Sequence, residues 1–270
     1  MKVAAIQHDV VWEDRPATLS HLEPLIGTAA AAGARLVVLT EMFPTGFSME
    51  PARVAEPEDG PATDFLLRRA AVEGVWLCGS VAIWPAGTDP AAPGARAVNR
   101  FLLAGPDGSL SRYDKLHPFS YAGEHEHYAA GTQRDVLLDV DGLRVAPFVC
   151  YDLRFGDEFW DLAPAVDCYV VVANWPAARR THWQALLVAR AIENQAYVVG
   201  VNRVGEGGGV TYAGDSRVVA PSGDVLAGAA EIETVLLADV DPEVVAATRA
   251  RYPFLADRRQ PRPPGAPPPT

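Results

Sequence analysis

Cysteine is scarce in this sequence, which contains three, at positions 78, 150 and 168. Three cysteines cannot form a complete set of disulfides, and their number is typical of a protein from a reducing compartment. Cys78 and Cys168 lie inside apolar, strand-like runs, where a free cysteine is commonly a buried packing residue. Cys150 instead lies where the run RVAPFVC stops, a placement that suits either packing or a nucleophile held at a turn.

Long apolar runs are also lacking, and no stretch approaches the roughly 20 residues that are needed to cross a bilayer. The first segment, MKVAAIQHDVVWED, acquires acidic residues at once and has no cleavage-site pattern. It is therefore predicted to be a first strand rather than a signal peptide. We expect a cytoplasmic protein with no membrane partner.

Positive charge is in deficit, since the net charge is −11. This deficit argues against a nucleic-acid partner, because phosphate binding needs a clustered basic surface. An anionic substrate would have to be held by a local cation. Among the 23 basic residues only Lys2 and Lys115 are lysines. Chance could place a lysine in RYDKLHPF, but a compact ammonium there could also supply what a planar guanidinium cannot.

The hydrophobic content of 49% and charged content of 21% are those of an ordinary globular protein. Strand-like and helix-like segments alternate along the chain, which predicts an α/β fold. Helices are predicted at about 16–33, 61–73, 155–163 and 182–196, with a closing helix after residue 241. The strand-like segment 35–41 ends at Glu41. Short polar turns between later strands indicate that antiparallel pairs are mixed in.

A change in composition near the C-terminus indicates where the folded domain ends. We assign residues 1–257 to one domain, and we interpret the proline-rich segment 258–270 as a disordered tail. The glycine-rich stretch 205–209 precedes a strand-like segment rather than a helix. It is therefore predicted to be a hairpin turn and not a nucleotide-binding loop.

Three polar residues occur where apolar strands end, namely Glu41, Lys115 and Cys150. Ligands gather at the carboxyl ends of strands in open α/β sheets. A thiol must lose its proton to react, and Glu41 could accept that proton and later protonate a leaving amine. Lys115 and the backbone N–H of Tyr151 could stabilise the oxyanion that forms when the thiolate attacks a carbonyl. Taken singly, the carboxylate could cap a loop, the ammonium could be a surface charge and the thiol could be core.

These residues lie in the segments TEMF, RYDKLHPF and FVCYDLRF, which in that order resemble the three motifs of the nitrilase superfamily of carbon–nitrogen hydrolases. The resemblance spans residues 1–257. It implies an α-β-β-α sandwich, a homodimer formed through the face that carries the third motif, and hydrolysis through a cysteine thioester without metal or organic cofactor. It also implies a second glutamate that positions substrate and water. Glu124 and Glu126 are candidates, and Glu124, seven residues before Gly131, has the spacing of related members.

The run EHEH that contains this glutamate could also be a metal cluster, since His125 and His127 alternate with carboxylates. Alternating residues on an extended segment would share one side. A polar loop is the simpler interpretation, and we predict no metal.

Other segments narrow the resemblance to one branch. AGEHEHYAAG, ANWPAAR and RAIENQAYVVGVNRVG are similar to bacterial ω-amidases, which hydrolyse the terminal amide of 2-oxoglutaramate and related 2-oxo acids. Amidases of deaminated glutathione, carbamoyl-amino-acid hydrolases and nitrilases are alternatives within the superfamily. An inactive scaffold homologue is the alternative outside enzymes. Thr40 and Gly156 replace prolines that are frequent in the first and third motifs.

Placement near strand ends and the need for a local cation suggest residues that contact substrate. Trp175, Phe43 and Phe47 are predicted pocket walls, although aromatic residues near strand ends are more often packing residues. Arg179, in a loop that follows a strand end, is predicted to bind a substrate carboxylate through parallel hydrogen bonds, although it could be a solvated loop charge. Arg154 and Asp152 are predicted to be structural, with Arg154 in an ion pair, but the sequence leaves open whether Arg154 or Arg179 binds the substrate carboxylate.

Overall fold

The computed structural model describes residues 1–259. Over this range it contains fifteen strands and seven α-helices. The strands are β1 (Lys2–Gln7), β2 (Leu36–Val38), β3 (Glu56–Pro57), β4 (Trp76–Trp84), β5 (Ala97–Ala104), β6 (Leu110–Asp114), β7 (Tyr128–Ala129), β8 (Leu138–Val140), β9 (Leu143–Val149), β10 (Cys168–Ala173), β11 (Tyr197–Asn202), β12 (Val204–Gly207), β13 (Val210–Val219), β14 (Val225–Ala230) and β15 (Thr234–Asp239). The helices are α1 (Arg15–Ala31), α2 (Pro51–Val54), α3 (Pro61–Glu73), α4 (Glu124–His127), α5 (Gly156–Leu162), α6 (Arg180–Asn194) and α7 (Pro242–Arg251).

The strands form two mixed sheets. The first has the order β15-β1-β2-β4-β5-β6, with β3 beside β4 and β7 beside β5. The second has the order β12-β13-β11-β10-β9-β8, with β14 beside β13. The strand β9, which leads to Cys150, pairs in parallel with β10, so the carboxyl ends of both strands meet at one edge.

The sheets pack face to face between two layers of helices. Along β1 the side chains alternate: Val3 and Ala5 pack into the core shared with the second sheet, whereas Ala4 and Ile6 pack toward α1 and α3. The helix α6 covers the outer face of the second sheet through buried Trp183 and Leu187. Strands buried on both faces give the near-continuous apolar runs seen in the sequence. The predicted α-β-β-α sandwich is confirmed.

Local signals set the ends of the helices. Asp14 precedes α1 and accepts a hydrogen bond from the N–H of Ala17 at 3.0 Å, which satisfies one of the free N–H groups of the first turn. Pro61 begins α3, and Gly74 ends it with a φ of 65°. A left-handed residue at this position is most easily a glycine. These ends agree closely with the predicted helix at 61–73.

Two predicted segments differ from the structure or lie partly outside it. The predicted strand 35–41 is shorter, because after Val38 the chain turns so that the N–H of Met42 bonds to the Ser80 hydroxyl at 2.8 Å. The predicted hairpin at 205–209 is confirmed, since β12 and β13 pair across Gly208 and Gly209. Of the predicted tail, residues 260–270 lie outside the described residues.

In residues 1–259 we find no helix with the length and apolar character that spanning a membrane would require.

Candidate active site

The three strand-end residues converge at one end of the sandwich. Lys115 directly follows β6 and Cys150 directly follows β9, while Glu41 lies three residues beyond β2. Lys115 and Glu41 are fully enclosed, with at most 1% of either side chain exposed. A buried charge is costly unless it is paired, so this enclosure is already informative about the site.

A second glutamate shares the lysine. Lys115 Nζ donates to Glu41 Oε1 at 2.9 Å and to the two carboxylate oxygens of Glu124 at 2.8 and 3.0 Å. The N–H of Phe119 also donates to Glu124. Gly131 closes this loop against the backbone of Asp114, where an added Cβ would lie 2.1 Å from the carbonyl oxygen. The structure thus brings Glu41, Lys115 and Glu124 together. It also requires a glycine at position 131, seven residues after Glu124.

Two asparagines that the sequence did not single out complete the surroundings of Glu41. Asn99 Nδ2 on β5 donates to Glu41 Oε1 at 2.8 Å and to Glu124 Oε1 at 3.2 Å. Its orientation is fixed by the Ser80 hydroxyl, which donates to Asn99 Oδ1 at 2.8 Å. The backbone N–H of Asn174, just after β10, donates to Glu41 Oε2 at 2.8 Å. Both oxygens of Glu41 are therefore held by donors.

Cys150 has an unusual backbone at the end of its strand. Its φ is 47°, in the left-handed region that non-glycine residues seldom occupy, and such strain often marks a functional position. The turn presents the residue to a pocket of about 440 Å³. Cys78 and Cys168 instead lie within strands and are fully buried.

The electrostatics of the site favour a protonated thiol at rest. Burial, followed by the Glu41 carboxylate, raises the pKa of Cys150 well above its ordinary value, and Lys115 opposes that shift. Burial alone would lower the pKa of Lys115, but Glu124 and Glu41 outweigh it and raise that pKa. Burial also raises the pKa of Glu124, although Lys115 counteracts it. A protonated thiol needs a base before it can react, and the Glu41 carboxylate is a close neighbour of this thiol.

Comparison with known proteins identifies the family. The sequence model of the family described as "Carbon-nitrogen hydrolase" matches residues 2–250. The chain belongs to this family. The predicted membership among carbon–nitrogen hydrolases is therefore confirmed.

Individual relatives agree with this assignment over nearly their whole length. The chain is 41% identical over 259 residues to the omega-amidase YafV of Escherichia coli (strain K12), covering 95% of this chain and 96% of the relative. It is 31% identical to the 2-oxoglutaramate amidase of Bacillus subtilis (strain 168), covering 84% and 86%. A crystal structure of a CN-hydrolase superfamily protein from Xanthomonas campestris, with an arsenic adduct in the active site, superposes with a TM-score of 0.88 at 35% identity, covering 96% and 97%.

Within this carbon–nitrogen hydrolase, most of the predicted substrate-contacting residues line the pocket beside Cys150. They are Phe47, Tyr151, Trp175 and Arg179. Phe43 does not, and its assignment as a pocket wall is corrected. Its ring is fully buried and packs on Phe65 with centroids 6.4 Å apart, under the helix layer. The sharp turn around Met42 directs Phe43 to the core, whereas Phe47 reaches the pocket and lies 5.1 Å from Lys115 Nζ.

The interpretation of Arg154 is also corrected. Among residues 1–259 its guanidinium forms no ion pair, and it lines the pocket, 4.7 Å from the centroid of the Trp175 ring. It lies beyond the turn at Cys150, and within the described part of the chain no carboxylate pairs with it. Asp152, in contrast, is fully buried and accepts hydrogen bonds from neighbouring segments, as a structural residue does.

The EHEH segment is one turn of helix, α4, rather than an extended strand. Glu124 points inward to Lys115, while His125 and Glu126 are exposed, so the four side chains do not share one side. Across residues 1–259, no three His, Cys, Asp or Glu side chains form a group that could hold a metal.

A buried histidine lies behind Glu41. His8 Nδ1 is 2.8 Å from the carbonyl oxygen of Asp9, and Nε2 is 3.0 Å from Thr40 Oγ1. Because a carbonyl can only accept, Nδ1 carries the proton and Nε2 accepts from the Thr40 hydroxyl. Thr40, which stands where a proline is frequent, thereby gains a partner that fixes the segment before Glu41.

This histidine predicts an acid-sensitive fold. Burial lowers the pKa of His8 to about 4 from its ordinary 6.5. Between these values the unfolded chain binds a proton that the folded chain does not, so stability is lost as the pH falls through this window. We expect His8 to account for about 2 kcal/mol of lost unfolding free energy between pH 7.5 and 5. Urea unfolding of His8→Gln should show a correspondingly shallower acid loss, whereas the exposed control His125→Gln should match the wild type. Equal acid loss in all three proteins would contradict the prediction.

Proposed function

We propose that this carbon–nitrogen hydrolase is an ω-amidase, which hydrolyses the terminal amide of small 2-oxo acid monoamides such as 2-oxoglutaramate to the acid and ammonia. The observation that carries this proposal is a pair of arginines, Arg154 and Arg179, that face the pocket of Cys150 without carboxylate partners in residues 1–259. The relatives called omega-amidase and 2-oxoglutaramate amidase support the same substrate class.

The contrast between two consecutive arginines supports an anion site. Arg180 pairs with Asp215 at 2.8 Å and with Glu231 at 2.6 Å, outside the pocket. Arg179 lies 5.3 Å from the centroid of the Phe119 ring. Burial and the neighbouring charge of Arg179 lower the pKa of Arg154, yet a guanidinium stays protonated near neutral pH. A bound carboxylate would relieve the repulsion between the two guanidinium groups and could accept parallel hydrogen bonds from either.

In the proposed mechanism, Glu41 takes the proton of Cys150, and the thiolate attacks the amide carbon. Lys115 and the N–H of Tyr151 stabilise the oxyanion. Glu41 then gives the proton to the nitrogen, the C–N bond breaks and ammonia leaves a thioester on Cys150. Water that Glu124 positions attacks the thioester while Glu41 accepts its proton. The C–S bond then breaks, the acid leaves, and Glu41 returns the proton to the Cys150 sulfur, which restores the thiol.

The choice of substrate is tested by comparing two amides. Ammonia release from 2-oxoglutaramate should have a much higher kcat/KM than cleavage of deaminated glutathione, whose peptide-like leaving group is larger. A preference for deaminated glutathione would replace the proposal with the amidase of that substrate. Turnover of neither compound would favour a carbamoyl-amino-acid hydrolase, a nitrilase or an inactive scaffold.

The arginine pair predicts a loss that depends on substrate charge. For Arg179→Ala and Arg154→Ala, kcat/KM for 2-oxoglutaramate should fall about 10- to 100-fold, because a charge-assisted hydrogen bond is lost. Pentanamide, which lacks the carboxylate, should be affected much less. Arg68→Ala, on the exposed surface of α3, controls for the loss of one positive charge. Equal losses on both amides, or no loss on either, would remove that arginine from the anion site.

We further propose one domain over residues 1–257, a cytoplasmic location and a homodimer formed through the face that carries the third motif. Three free thiols are compatible with a reducing compartment. Exposed apolar side chains on α6, on α7 and just after α7 offer a surface that association would cover, and they include Ile192, Val244, Tyr252 and Phe254. Sedimentation at micromolar concentration tests the dimer.

A further inference from the structure

Asp152 is bound by four donors, one from its own segment and three from the segment around Lys115. Its Oδ2 accepts from the Tyr113 hydroxyl at 2.8 Å and from the N–H of Val149 at 3.0 Å. Its Oδ1 accepts from the N–H of His117 at 2.9 Å and lies 3.0 Å from His117 Nδ1. The carboxylate is completely buried, and buried carboxylates that accept several hydrogen bonds hold their donors firmly in place.

These donors, together with Asp152 itself, flank Lys115 and Cys150, which the proposed mechanism brings together. Tyr113 and His117 lie two residues before and two residues after Lys115, on the first sheet and the loop that follows it. Val149 and Asp152 likewise enclose Cys150, at the end of a strand of the second sheet. One carboxylate therefore ties the lysine segment to the nucleophile segment across the two sheets. The His117 ring also stacks on Phe155 at 3.7 Å between centroids, which adds a second contact between the same segments.

We propose that Asp152 is a positioning residue that sets the separation between Lys115 Nζ and the Cys150 sulfur. It touches neither the substrate nor the reacting atoms, and it acts through the residues that flank each catalytic residue. The proposal rests on the proposed function for its turnover measurement, whereas alkylation of Cys150 reports the same separation without any substrate.

An amide cannot replace this carboxylate. Each oxygen accepts one backbone N–H, from Val149 or from His117, and a backbone N–H cannot reverse its role. Whichever way an asparagine is turned, its NH₂ group meets one of these donors, and one of the two segments is released. Asp152→Asn is therefore nearly isosteric with the wild type and breaks one link.

The experiment combines turnover with thiol chemistry in Asp152→Asn and in the control Asp157→Asn, whose side chain is exposed on α5. We expect kcat of Asp152→Asn for 2-oxoglutaramate to fall about 100-fold, as small displacements of catalytic groups do, with a smaller change in KM. Lys115 lowers the pKa of the Cys150 thiol against the effects of burial and Glu41. Displacement of the ammonium should therefore move the pH profile of Cys150 alkylation by iodoacetamide to higher pH. Asp157→Asn should match the wild type in both measurements.

Thermal unfolding separates positioning from stability. A lower Tm in Asp152→Asn with an unchanged alkylation profile in the folded protein would overturn the proposal, as would an unchanged kcat. If Asp152→Asn does not fold, Tyr113→Phe removes one donor and leaves the carboxylate in place. It should shift the alkylation profile in the same direction by a smaller amount, and an unchanged profile would again overturn the proposal. If Cys150→Ala retained turnover while the Asp152→Asn profile still shifted, the proposed chemistry would fail and the positioning would stand.

Discussion

Cys150→Ala should lower ammonia release from 2-oxoglutaramate by at least about 10⁴-fold, as removal of a catalytic nucleophile does. The side chain occupies the end of β9 with a φ of 47°, at the pocket and beside the Glu41 carboxylate, so its sulfur has no substitute there. Alanine keeps the Cβ and the backbone conformation. Circular dichroism and the Tm should therefore remain close to those of the wild type.

The two other cysteines provide matched controls. Cys78 and Cys168 are fully buried within strands of different sheets. Cys78→Ala and Cys168→Ala should cost roughly 1–2 kcal/mol of unfolding free energy, because trimming a buried side chain leaves a small cavity. Both variants should keep kcat. Substantial turnover by Cys150→Ala would exclude thioester chemistry, and a loss of kcat in the controls would show that cysteine removal acts through the fold.

Features that depend on the residues of a single segment could be predicted from the sequence. The helix predicted at about 61–73 agrees with α3, which runs from Pro61 to Glu73. Strand-end placement indicated Lys115 and Cys150, since both follow the last paired residue of a strand. These features are local, and local chemistry decides them.

The residues that were missed depend on the pairing of distant segments. Asn99 lies within an apolar strand, and its amide reaches Glu41 because the register of β4 and β5 places Ala82 opposite it, with the orienting Ser80 nearby. Phe43 and Phe47 were equivalent in sequence, but a turn of a few residues sent one ring to the core and the other to the pocket. Distant carboxylates likewise decide which arginines are free to bind an anion. Arg180 is paired with Asp215, whereas within residues 1–259 Arg154 has no such partner. No periodicity within a single segment contains that information.

Lys115→Arg should be nearly inactive although it keeps the charge, with kcat lowered at least about 10³-fold. The ammonium is 1% exposed and donates to Glu41 and Glu124 at 2.8–3.0 Å, beneath the Phe47 ring. A guanidinium is wider and carries its donors in a fixed plane, so it would displace one carboxylate and could not direct an N–H to the oxyanion. Lys2→Arg is the matched control, because Lys2 donates to the Ala32 carbonyl just after α1, outside the pocket of Cys150, and should tolerate the change. Lys115→Met, which keeps the stem but lacks the charge, should be inactive as well. The kcat of all three variants, measured below their Tm, distinguishes the effect of side-chain shape from the effect of charge. If Lys115→Arg were active and Lys115→Met inactive, charge alone would suffice and the geometry of the ammonium would not be required.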